Sequence, residues 1–235
     1  MLNNAWFIAK RDMVIHKWGW LTTFLMGAYF VLILAGILQD YQVREMKVMF
    51  PVDLLFCILA SVLGFAFTRD YMLYLKEDTF TKKMALYRTL PLRTEEVVLG
   101  RILHILVYTL YNSVTIFTVL YFVSRGLNRQ LTPLQYVAFV AALIGFSFVF
   151  SAFYIFTELG YSGRTYFWLN MIVVVLLIGG IFLLMMLKVS LTDELIVGIR
   201  QYGFLIPGMM LLIGIGSLSY AYQATVRHLS TREYR

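Results

Sequence analysis

Charged residues are scarce in this 235-residue chain: Asp, Glu, Lys and Arg make up 14% of it, whereas hydrophobic residues make up 60%. A soluble domain carries about 25% charged and about 45–50% apolar residues. With so few charges, the chain cannot cover its own surface in water. The composition therefore excludes an ordinary soluble fold and predicts an integral membrane protein.

Cysteine and histidine are also rare. The single cysteine, Cys57, excludes a disulfide framework, and the apolar run around it favours a buried, unreactive thiol. Three histidines and no cysteine cluster leave few ligands for a transition-metal site. The chain also lacks any Gly-Lys pair and hence the phosphate-binding loop G-x-x-x-x-G-K-[ST]. We therefore expect no metal, no cofactor and no ATP hydrolysis by this chain alone.

Six apolar segments approach the length of about 20 residues that a helix needs to cross a bilayer. The second is the shortest, because its charge-free part has only 15 residues and the full segment must include Asp53 near its outer end. The predicted spans are residues 18–39, 48–68, 102–124, 134–157, 165–187 and 204–223. The sequence thus predicts an all-α polytopic membrane protein whose single transmembrane domain covers residues 1–235.

Lysine and arginine divide unevenly between the two sides of this topology. Fourteen lie on the side that holds both termini and the 69–100 loop, against six on the other side. Cytoplasmic loops retain an excess of Lys and Arg. The net charge of +7 is therefore explained by membrane orientation, and we expect no nucleic acid partner. We expect a multi-pass protein of the cell membrane with both termini in the cytoplasm.

Residues 1–17 are too polar to cross a membrane but carry a helical pattern. Leu2, Trp6, Ala9 and Met13 recur at helical spacing, and basic residues supply a polar surface. This pattern favours a helix that lies in the inner membrane interface. The alternative is that the segment is simply the cytoplasmic end of the first span.

The loop between the second and third predicted spans begins with the pattern of a short helix. Asp78 is placed to cap this helix, in which Phe80, Met84 and Tyr87 share one apolar face. Pro91 ends it, because proline disfavours helical geometry in the preceding residue. An apolar face needs burial, either against the membrane surface or in a cleft of a partner protein.

A second helix is predicted to follow and to run into the third span. Thr94 offers an N-cap, and Glu95 and Glu96 lie in the first turn, where the helix dipole favours anions. A Glu-Glu pair also suggests an intramembrane protease as an alternative. However, four residues separate Glu96 from Arg101, whereas the EE-x3-R pattern of that family has three. Such a protease also needs several histidines in its spans, and here only His104 lies in one. We therefore interpret the pair as the acidic first turn of a helix.

The stretch from Glu77 to Arg101 resembles the signature region of ABC type-2 transporter permeases. In that family an acidic residue and a short helix precede a Leu-Pro pair, which is Leu90-Pro91 in this chain. A Gly-Arg or Gly-Lys pair enters the third span, as Gly100 and Arg101 do here. The family also has six spans, an amphipathic N-terminal elbow helix and cytoplasmic termini, so the resemblance covers the whole chain.

This resemblance implies the membrane-spanning permease subunit of an ABC exporter. Such a subunit pairs with a second permease protomer, as a homodimer or heterodimer, and is driven by separate cytoplasmic ATPase subunits that bind ATP and Mg²⁺. The short helix would be the coupling helix, with Phe80, Met84, Tyr87, Arg88, Leu90 and Pro91 as the ATPase-coupling residues. An alternative from another class is a non-transporting membrane subunit for assembly or signalling that associates with an ATPase.

Polar residues inside the predicted spans are the remaining candidates for function, since they cost free energy in lipid and face protein or a cavity. Asn112, Ser113 and Thr115 lie in the third span. They indicate either an interhelical hydrogen bond or a translocation path. Glu158 closes the fourth span close to Arg164, and we expect a local ion pair there.

Small residues mark where helices approach closely. Ala141 with Gly145 in the fourth span, and Ala60 with Gly64 in the second, form small-x3-small pairs. Contacts within one protomer and contacts between two protomers explain these pairs equally well. In addition, residues 190–200 and the glycine and proline that follow predict a short extracellular helix that re-enters the outer leaflet before the last span.

Overall fold

The computed structural model describes residues 1–15, 17–39, 46–66 and 68–231, without the side chains of residues 46–49 and 69–72. These described residues form eleven α-helices and contain no strand, which confirms the all-α prediction. The helices are α1 (Leu2–Ile15), α2 (Lys17–Ile37), α3 (Met46–Val62), α4 (Arg69–Glu77), α5 (Thr79–Thr89), α6 (Thr94–Val123), α7 (Arg125–Gln130), α8 (Pro133–Gly160), α9 (Gly163–Met186), α10 (Leu191–Tyr202) and α11 (Leu205–Thr231). Outside the described residues lie His16 and three basic residues of the charge count, Arg44, Arg232 and Arg235.

Five helices are long and apolar enough to cross a membrane: α2, α6, α8, α9 and α11. They have 21 to 30 residues and are therefore about 30 to 45 Å long. Each overlaps most of one predicted span, so the five apolar helices are present and could cross a membrane, as a multi-pass membrane protein requires. The apolar helix α3 lies at the second predicted span but is shorter than the other five.

The second predicted span ends at Val62 rather than at residue 68. Beyond Val62 the chain turns, and the last carbonyl groups of a broken helix need new hydrogen-bond donors. Asn112 on α6 supplies them: its side-chain amide donates to the carbonyl oxygens of Leu63 (2.7 Å) and Phe65 (3.2 Å). The apolar run continues through this turn, so hydropathy alone did not reveal where the helix ends.

Glycines allow the long helices to pack backbone against backbone. A Cβ atom on Gly145 of α8 would lie 2.5 Å from the backbone carbon of Met210, and one on Gly214 of α11 would meet the carbonyl oxygen of Gly145. A Cβ atom on Gly64 would lie 2.7 Å from the hydroxyl of Ser151. The small residues Gly64 and Gly145 therefore serve contacts within one protomer.

The buried side chains form two main clusters at opposite ends of α6. Val98 and Ile105 of α6 belong to a cluster that also includes side chains of α1, α5, α8 and α11. Ile116 and Leu120 of α6 belong to a cluster with side chains of α2, α3, α8 and α10. Because residues 98 and 120 are six turns apart, α5 and α10 lie at opposite ends of the helix bundle.

Helix α1 packs against the start of α6, a contact that the sequence did not predict. Ala5, Ile8 and Ala9 are buried, and a Cβ atom on Gly100 would lie 3.0 Å from the carbonyl oxygen of Ala5. Met13 is also buried, whereas Leu2 and Trp6 are exposed, so the four residues of the predicted apolar face are divided between the protein interior and the surface. The close approach at Gly100 therefore places Ala5 and Ile8 on the side of α1 that faces α6.

Candidate functional site

The predicted apolar face of α5 is buried inside this chain. Phe80, Met84 and Tyr87 are each only 4% exposed. The Phe80 ring stacks on Tyr74 of α4, with 5.5 Å between centroids, and meets Tyr166 of α9 edge-on at 5.0 Å. These three side chains therefore hold α5 against its own helix bundle instead of lying at an exposed surface.

An ion pair joins α5 to α1. The ammonium group of Lys83 lies 2.6 Å from a carboxylate oxygen of Asp12. The Tyr87 hydroxyl lies 3.4 Å from both Asp12 oxygens and accepts a hydrogen bond from Arg11 at 3.2 Å. The Arg11 guanidinium also lies 5.4 Å from the centre of the Tyr87 ring, within the range of a cation–π contact. Helices α1 and α5 are thus joined by charge as well as by apolar packing.

Electrostatics keep this ion pair charged. Burial is the largest influence on the pKa of the Asp12 carboxyl and would raise it, but Lys83, Arg101 and Arg11 together outweigh burial, so the Asp12 pKa is lowered. Burial would likewise lower the pKa of Lys83, but Asp12 and Tyr87 together outweigh it, so the Lys83 pKa is raised. Burial raises the pKa of the Tyr87 hydroxyl, which therefore keeps its proton as a donor. All three shifts preserve the contact near neutral pH.

A second buried ion pair joins α6 to α8. Arg101 donates to one oxygen of Glu158 from Nε (3.1 Å) and from a terminal nitrogen (2.8 Å). A third guanidinium nitrogen lies 2.8 Å from Nδ1 of His104. We had expected Glu158 to pair with Arg164, which is exposed. The partner instead comes from the Gly-Arg pair near the start of α6.

These two ion pairs share one small cavity, whose lining includes Asp12, Lys83, Tyr87, Arg101 and Glu158. We call these five side chains the junction cluster. The cavity is large enough for a water molecule, and charged groups are the partners that a buried water needs. The junction cluster connects α1, α5, α6 and α8 at a single point.

An arginine and a histidine side chain connect the ends of α5, α8 and α11. Arg88 of α5 donates a hydrogen bond of 2.7 Å to the carbonyl oxygen of Leu229 near the end of α11. His228 of α11 lies 3.1 Å from the carbonyl oxygen of Gly160, the last residue of α8. Cationic and donor groups at helix C-termini satisfy free carbonyls and suit the helix dipole. Arg88 therefore connects α5 to the C-terminal end of α11.

Asp78 does not cap α5 as predicted. It has a left-handed backbone conformation (φ 46°), which aspartate tolerates, and its carboxylate accepts a 2.8 Å hydrogen bond from the backbone N–H of Gly163. Gly163 is the first residue of α9, so Asp78 caps that helix instead. A Cβ atom at Gly163 would meet the carbonyl oxygen of Tyr74, which explains why glycine occupies the position.

The start of α6 is also capped differently from the prediction. Thr94 is the first helical residue rather than the cap. The carboxylate of Glu96 reaches back to the backbone N–H of Arg93 (3.1 Å) and accepts a 2.9 Å hydrogen bond from the side chain of Asn4 in α1. The acidic first turn therefore stabilises the helix start, as the sequence suggested, and additionally holds α1 in place.

The exposed side of α5 forms what we call its outer face: Lys82, Ala85, Leu86, Thr89 and Leu90. Their spacing places them along one side of the helix. Leu86 is 54% exposed and Leu90 is 38% exposed. Helix α5 ends at Thr89, just before Pro91, as predicted. Leu90, Pro91 and Arg88 lie at the exposed end of the helix, unlike the other three predicted coupling residues.

The polar residues of the third predicted span lie within the helix packing. Asn112 is 2% exposed and is occupied by the carbonyl groups that follow α3. Ser113 is also buried, and the Thr115 hydroxyl donates to carbonyl oxygens of its own helix, those of Tyr111 and Asn112. For Asn112, this geometry favours the interhelical hydrogen bond over the translocation path.

At the opposite end of the bundle, Asp53 of α3 caps α10. Its carboxylate accepts hydrogen bonds from the Ser190 hydroxyl (2.9 Å) and from the backbone N–H groups of Leu191 (2.9 Å) and Thr192 (2.8 Å). A carboxylate at a helix N-terminus is favoured by the helix dipole. The predicted short helix before the last span is therefore present as α10, followed by Gly203 with φ 57°, a conformation that favours glycine.

In the part of the chain that the structure describes, no three His, Cys, Asp or Glu side chains come together as metal ligands would. Glu96 and His104, the residues that raised the protease alternative, are bound to Asn4 and Arg101 respectively. The buried Cys57 agrees with the unreactive thiol that the sequence predicts.

The chain matches no family model, no curated protein and no solved structure. The function must therefore be argued from the geometry together with the sequence resemblance. The sequence did not reveal the partners of Asp12, Lys83, Arg101 and Glu158, which are brought together from four separate helices. The one available signal was an acidic residue, Asp12, inside an otherwise basic and apolar helix.

Proposed function

We propose that this chain is the membrane-spanning permease subunit of an ATP-driven ABC exporter, coupled to separate cytoplasmic ATPase subunits. The observation that carries the proposal is the attachment of α5, a short helix between the second and third predicted spans. Its inner face, formed by Phe80, Met84 and Tyr87, and its charged side chains contact the ends of several longer helices, whereas its outer face is exposed. A helix with both properties is suited to transmit force from a partner to the bundle.

The contacts of α5 define how such a force would spread. Lys83 joins it to α1, Phe80 to α4 and α9, and Arg88 to α11. Asp78, immediately before α5, is bound to the start of α9. A displacement of α5 by a partner would therefore move the ends of two long apolar helices, α9 and α11, together with α1.

The same contacts change which residues we propose to touch the ATPase. Phe80, Met84 and Tyr87 fix α5 to the bundle, and the outer face around Leu86 and Leu90 docks the partner. ATP and Mg²⁺ would bind in the partner chain. Closure of the ATPase dimer would displace α5 and shift two permease protomers between access states at their interface. The transported substrate passes between the protomers in this mechanism.

The proposed topology has six spans, with α3 as the short second span and both termini in the cytoplasm. Two contacts support a common side for both ends of the described chain: Glu96 holds Asn4 of α1, and Arg88 of α5 holds Leu229 of α11. We propose that α1 lies in the inner interface as an elbow helix, with Trp6 and its neighbours in lipid. Its exposed apolar side chains suit that position.

Cysteine labelling in intact cells tests this topology in a variant without Cys57. Replacements at Lys82 and Arg232 should resist an impermeant thiol reagent, because we place both residues in the cytoplasm. Replacements at Arg129 and Lys188 should react. Permeabilised cells provide the control, since all four sites should then be labelled. Labelling of Lys82→Cys from outside would overturn the six-span topology.

Purification in mild detergent tests the coupling. Affinity-purified wild-type chain should retain a protein with a phosphate-binding loop, and the complex should hydrolyse ATP with sensitivity to vanadate. The variant Leu86→Asp should lose this partner, since losing a central contact costs on the order of 2 kcal/mol, or roughly thirtyfold in affinity. Leu75→Asp is the matched control, because Leu75 is a similarly exposed leucine on the neighbouring helix α4.

The alternative of an assembly or signalling subunit predicts a different pattern. In that case the ATPase would still bind, but candidate substrates would not move across reconstituted vesicles when ATP is added. ATP hydrolysis by the purified chain without any partner would contradict both proposals.

A further inference from the structure

An apolar cavity lies between α3, α8, α10 and α11, near the end of the bundle that holds α10. Its walls include Phe56 and Cys57 of α3 and Phe139, Ala142 and Leu143 of α8, and its volume is about 120 Å³. All these wall residues are buried, and the lining is apolar apart from the thiol of Cys57 and the side chain of Thr192, which is also buried. The cavity takes no part in the coupling proposed above, which involves the opposite end of the molecule.

The chemistry of the walls decides what the cavity can hold. Water needs two to four polar partners, and apolar cavities stay dry. An engineered apolar cavity of roughly 150 Å³ binds benzene or xenon instead. An apolar guest that fits such a space gains dispersion contacts with the atoms of its lining. The suitable guest is therefore a hydrocarbon chain or ring of small cross-section.

The mouth of the cavity indicates where the guest comes from. Its rim includes Phe146, Leu195 and Met210, which are half-buried, and Leu191, which is 42% exposed. Two of the helices that flank it, α8 and α11, are long and apolar enough to cross a membrane. A rim of apolar side chains between such helices is suited to contact with lipid rather than with water.

A cation stands close to this mouth. Lys188 is exposed and precedes Leu191 by three residues, so their Cα atoms are at most about 11 Å apart. We propose that the cavity binds the end of a phospholipid acyl chain from the surrounding leaflet, with the phosphate group near Lys188. The juxtaposition of an apolar recess and a basic side chain fits an amphiphile better than an uncharged apolar molecule.

Photo-crosslinking of the full chain tests this site. The chain is reconstituted in vesicles of phosphatidylcholine and phosphatidylglycerol that contain a phospholipid with a diazirine near the end of one acyl chain. Mass spectrometry should find the label on Cys57 and Leu143, although these side chains are only 7% and 6% exposed. Label on the exposed side chains of α9 serves as the internal standard for correct insertion.

Variants that fill the cavity provide the decisive comparison. Ala142→Leu should lower wall labelling by about tenfold while leaving the labelling of α9 unchanged. Cys57→Leu, which fills the cavity from the opposite wall, should lower the labelling of Leu143 in the same way. Ala141→Leu is the matched control, because Ala141 is the adjacent alanine on α8 and does not line the cavity.

Three results would overturn the proposal. Unlabelled cavity walls in the wild-type chain would show that no acyl chain enters. Equal wall labelling in wild-type and Ala142→Leu chains would show that the label arrives by another route. Labelling by a diazirine-bearing alkane, but not by the phospholipid, would show that the cavity holds a free apolar molecule instead of a lipid.

Discussion

The two ends of the helix bundle are held together by different means. At the end that holds α5, two ion pairs join four helices: the partly buried Asp12–Lys83 and the more deeply buried Arg101–Glu158. At the end that holds α10, one carboxylate, Asp53, accepts three hydrogen bonds from uncharged donors, and an apolar cavity lies nearby. Charge pairs need fixed geometry to offset desolvation. The α5 end is therefore suited to move as one unit, whereas the α10 end can admit a guest.

The largest effect of a single substitution is expected at Arg101. Arg101→Met removes the guanidinium that pairs with the buried carboxylate of Glu158, which should cost about 3–5 kcal/mol of unfolding free energy. Equilibrium unfolding in mixed detergent micelles measures the loss. Arg129→Met, at an exposed arginine of the α10 end, should change it by less than about 0.5 kcal/mol.

The double variant Arg101→Met, Glu158→Met sharpens this comparison. If the loss comes from the unpaired charge, removing both partners should recover much of the stability. A double variant as unstable as the sum of the two single variants would show that the side chains act independently, and the ion pair would not be what joins α6 to α8.

Truncation of Phe80 should have the next largest effect. Phe80→Ala removes the ring that packs on Tyr74 and Tyr166 and should cost about 3 kcal/mol, in the range of buried aromatic truncations. Leu86→Ala, on the outer face of the same helix, should cost less than about 0.5 kcal/mol. Thermal unfolding of the two variants provides the measurement. Equal stability of both would contradict the assignment of an inner and an outer face to α5.

The cap at the α10 end should contribute less. Asp53→Ala leaves the Ser190 hydroxyl and two backbone N–H groups without their acceptor, at a cost of about 2 kcal/mol. Hydrogen exchange of the α10 amides should rise in this variant. Glu194→Ala, in the exposed first turn of α10, is the control and should cost no more than about 0.5 kcal/mol. If Asp53→Ala lowered the unfolding free energy more than Arg101→Met, the α10 end, rather than the α5 end, would depend more on a single polar side chain, contrary to this account.

The smallest effect concerns pH. The lowered pKa of Asp12 means that its contribution is present above the ordinary carboxyl pKa and is lost as pH falls through the lowered value. The raised pKa of Lys83 means that its contribution is lost only as pH rises beyond the ordinary lysine range. The Asp12–Lys83 pair should therefore add about 1 kcal/mol to the unfolding free energy at neutral pH and less in strong acid. Asp12→Asn should lower the neutral-pH melting temperature and reduce its acid sensitivity.

Much of the fold follows from the sequence, because hydropathy reports directly on membrane spans. Five apolar runs became long helices close to their predicted bounds. The second span was predicted too long, since a turn that is capped by Asn112 looks the same in composition as a continuing helix. The pattern of α1 predicted an interfacial helix but did not show which side of it packs on α6. The backbone contact at Gly100 places Ala5 and Ile8 on that side.

The candidate site was harder to predict, because it is built from contacts distant along the chain. The periodicity of Phe80, Met84 and Tyr87 correctly marked an apolar face that requires burial, but periodicity does not say what covers it. The caps were misassigned for a similar reason. Asp78 stands beside α5 in sequence and therefore looked like its cap, but its carboxylate is 2.8 Å from Gly163, 85 positions away.

Site-specific crosslinking tests the central claim, that the outer face of α5 docks an ATPase. Leu86→Cys, Leu75→Cys and Phe80→Cys are each made in a variant without Cys57 and treated in native membranes with a short thiol-reactive crosslinker. We expect Leu86→Cys to form an adduct with a protein that carries a phosphate-binding loop, and Leu75→Cys and buried Phe80→Cys to form none. An adduct at Leu75 or Phe80 without one at Leu86, or no such adduct at any of the three positions, would contradict the account.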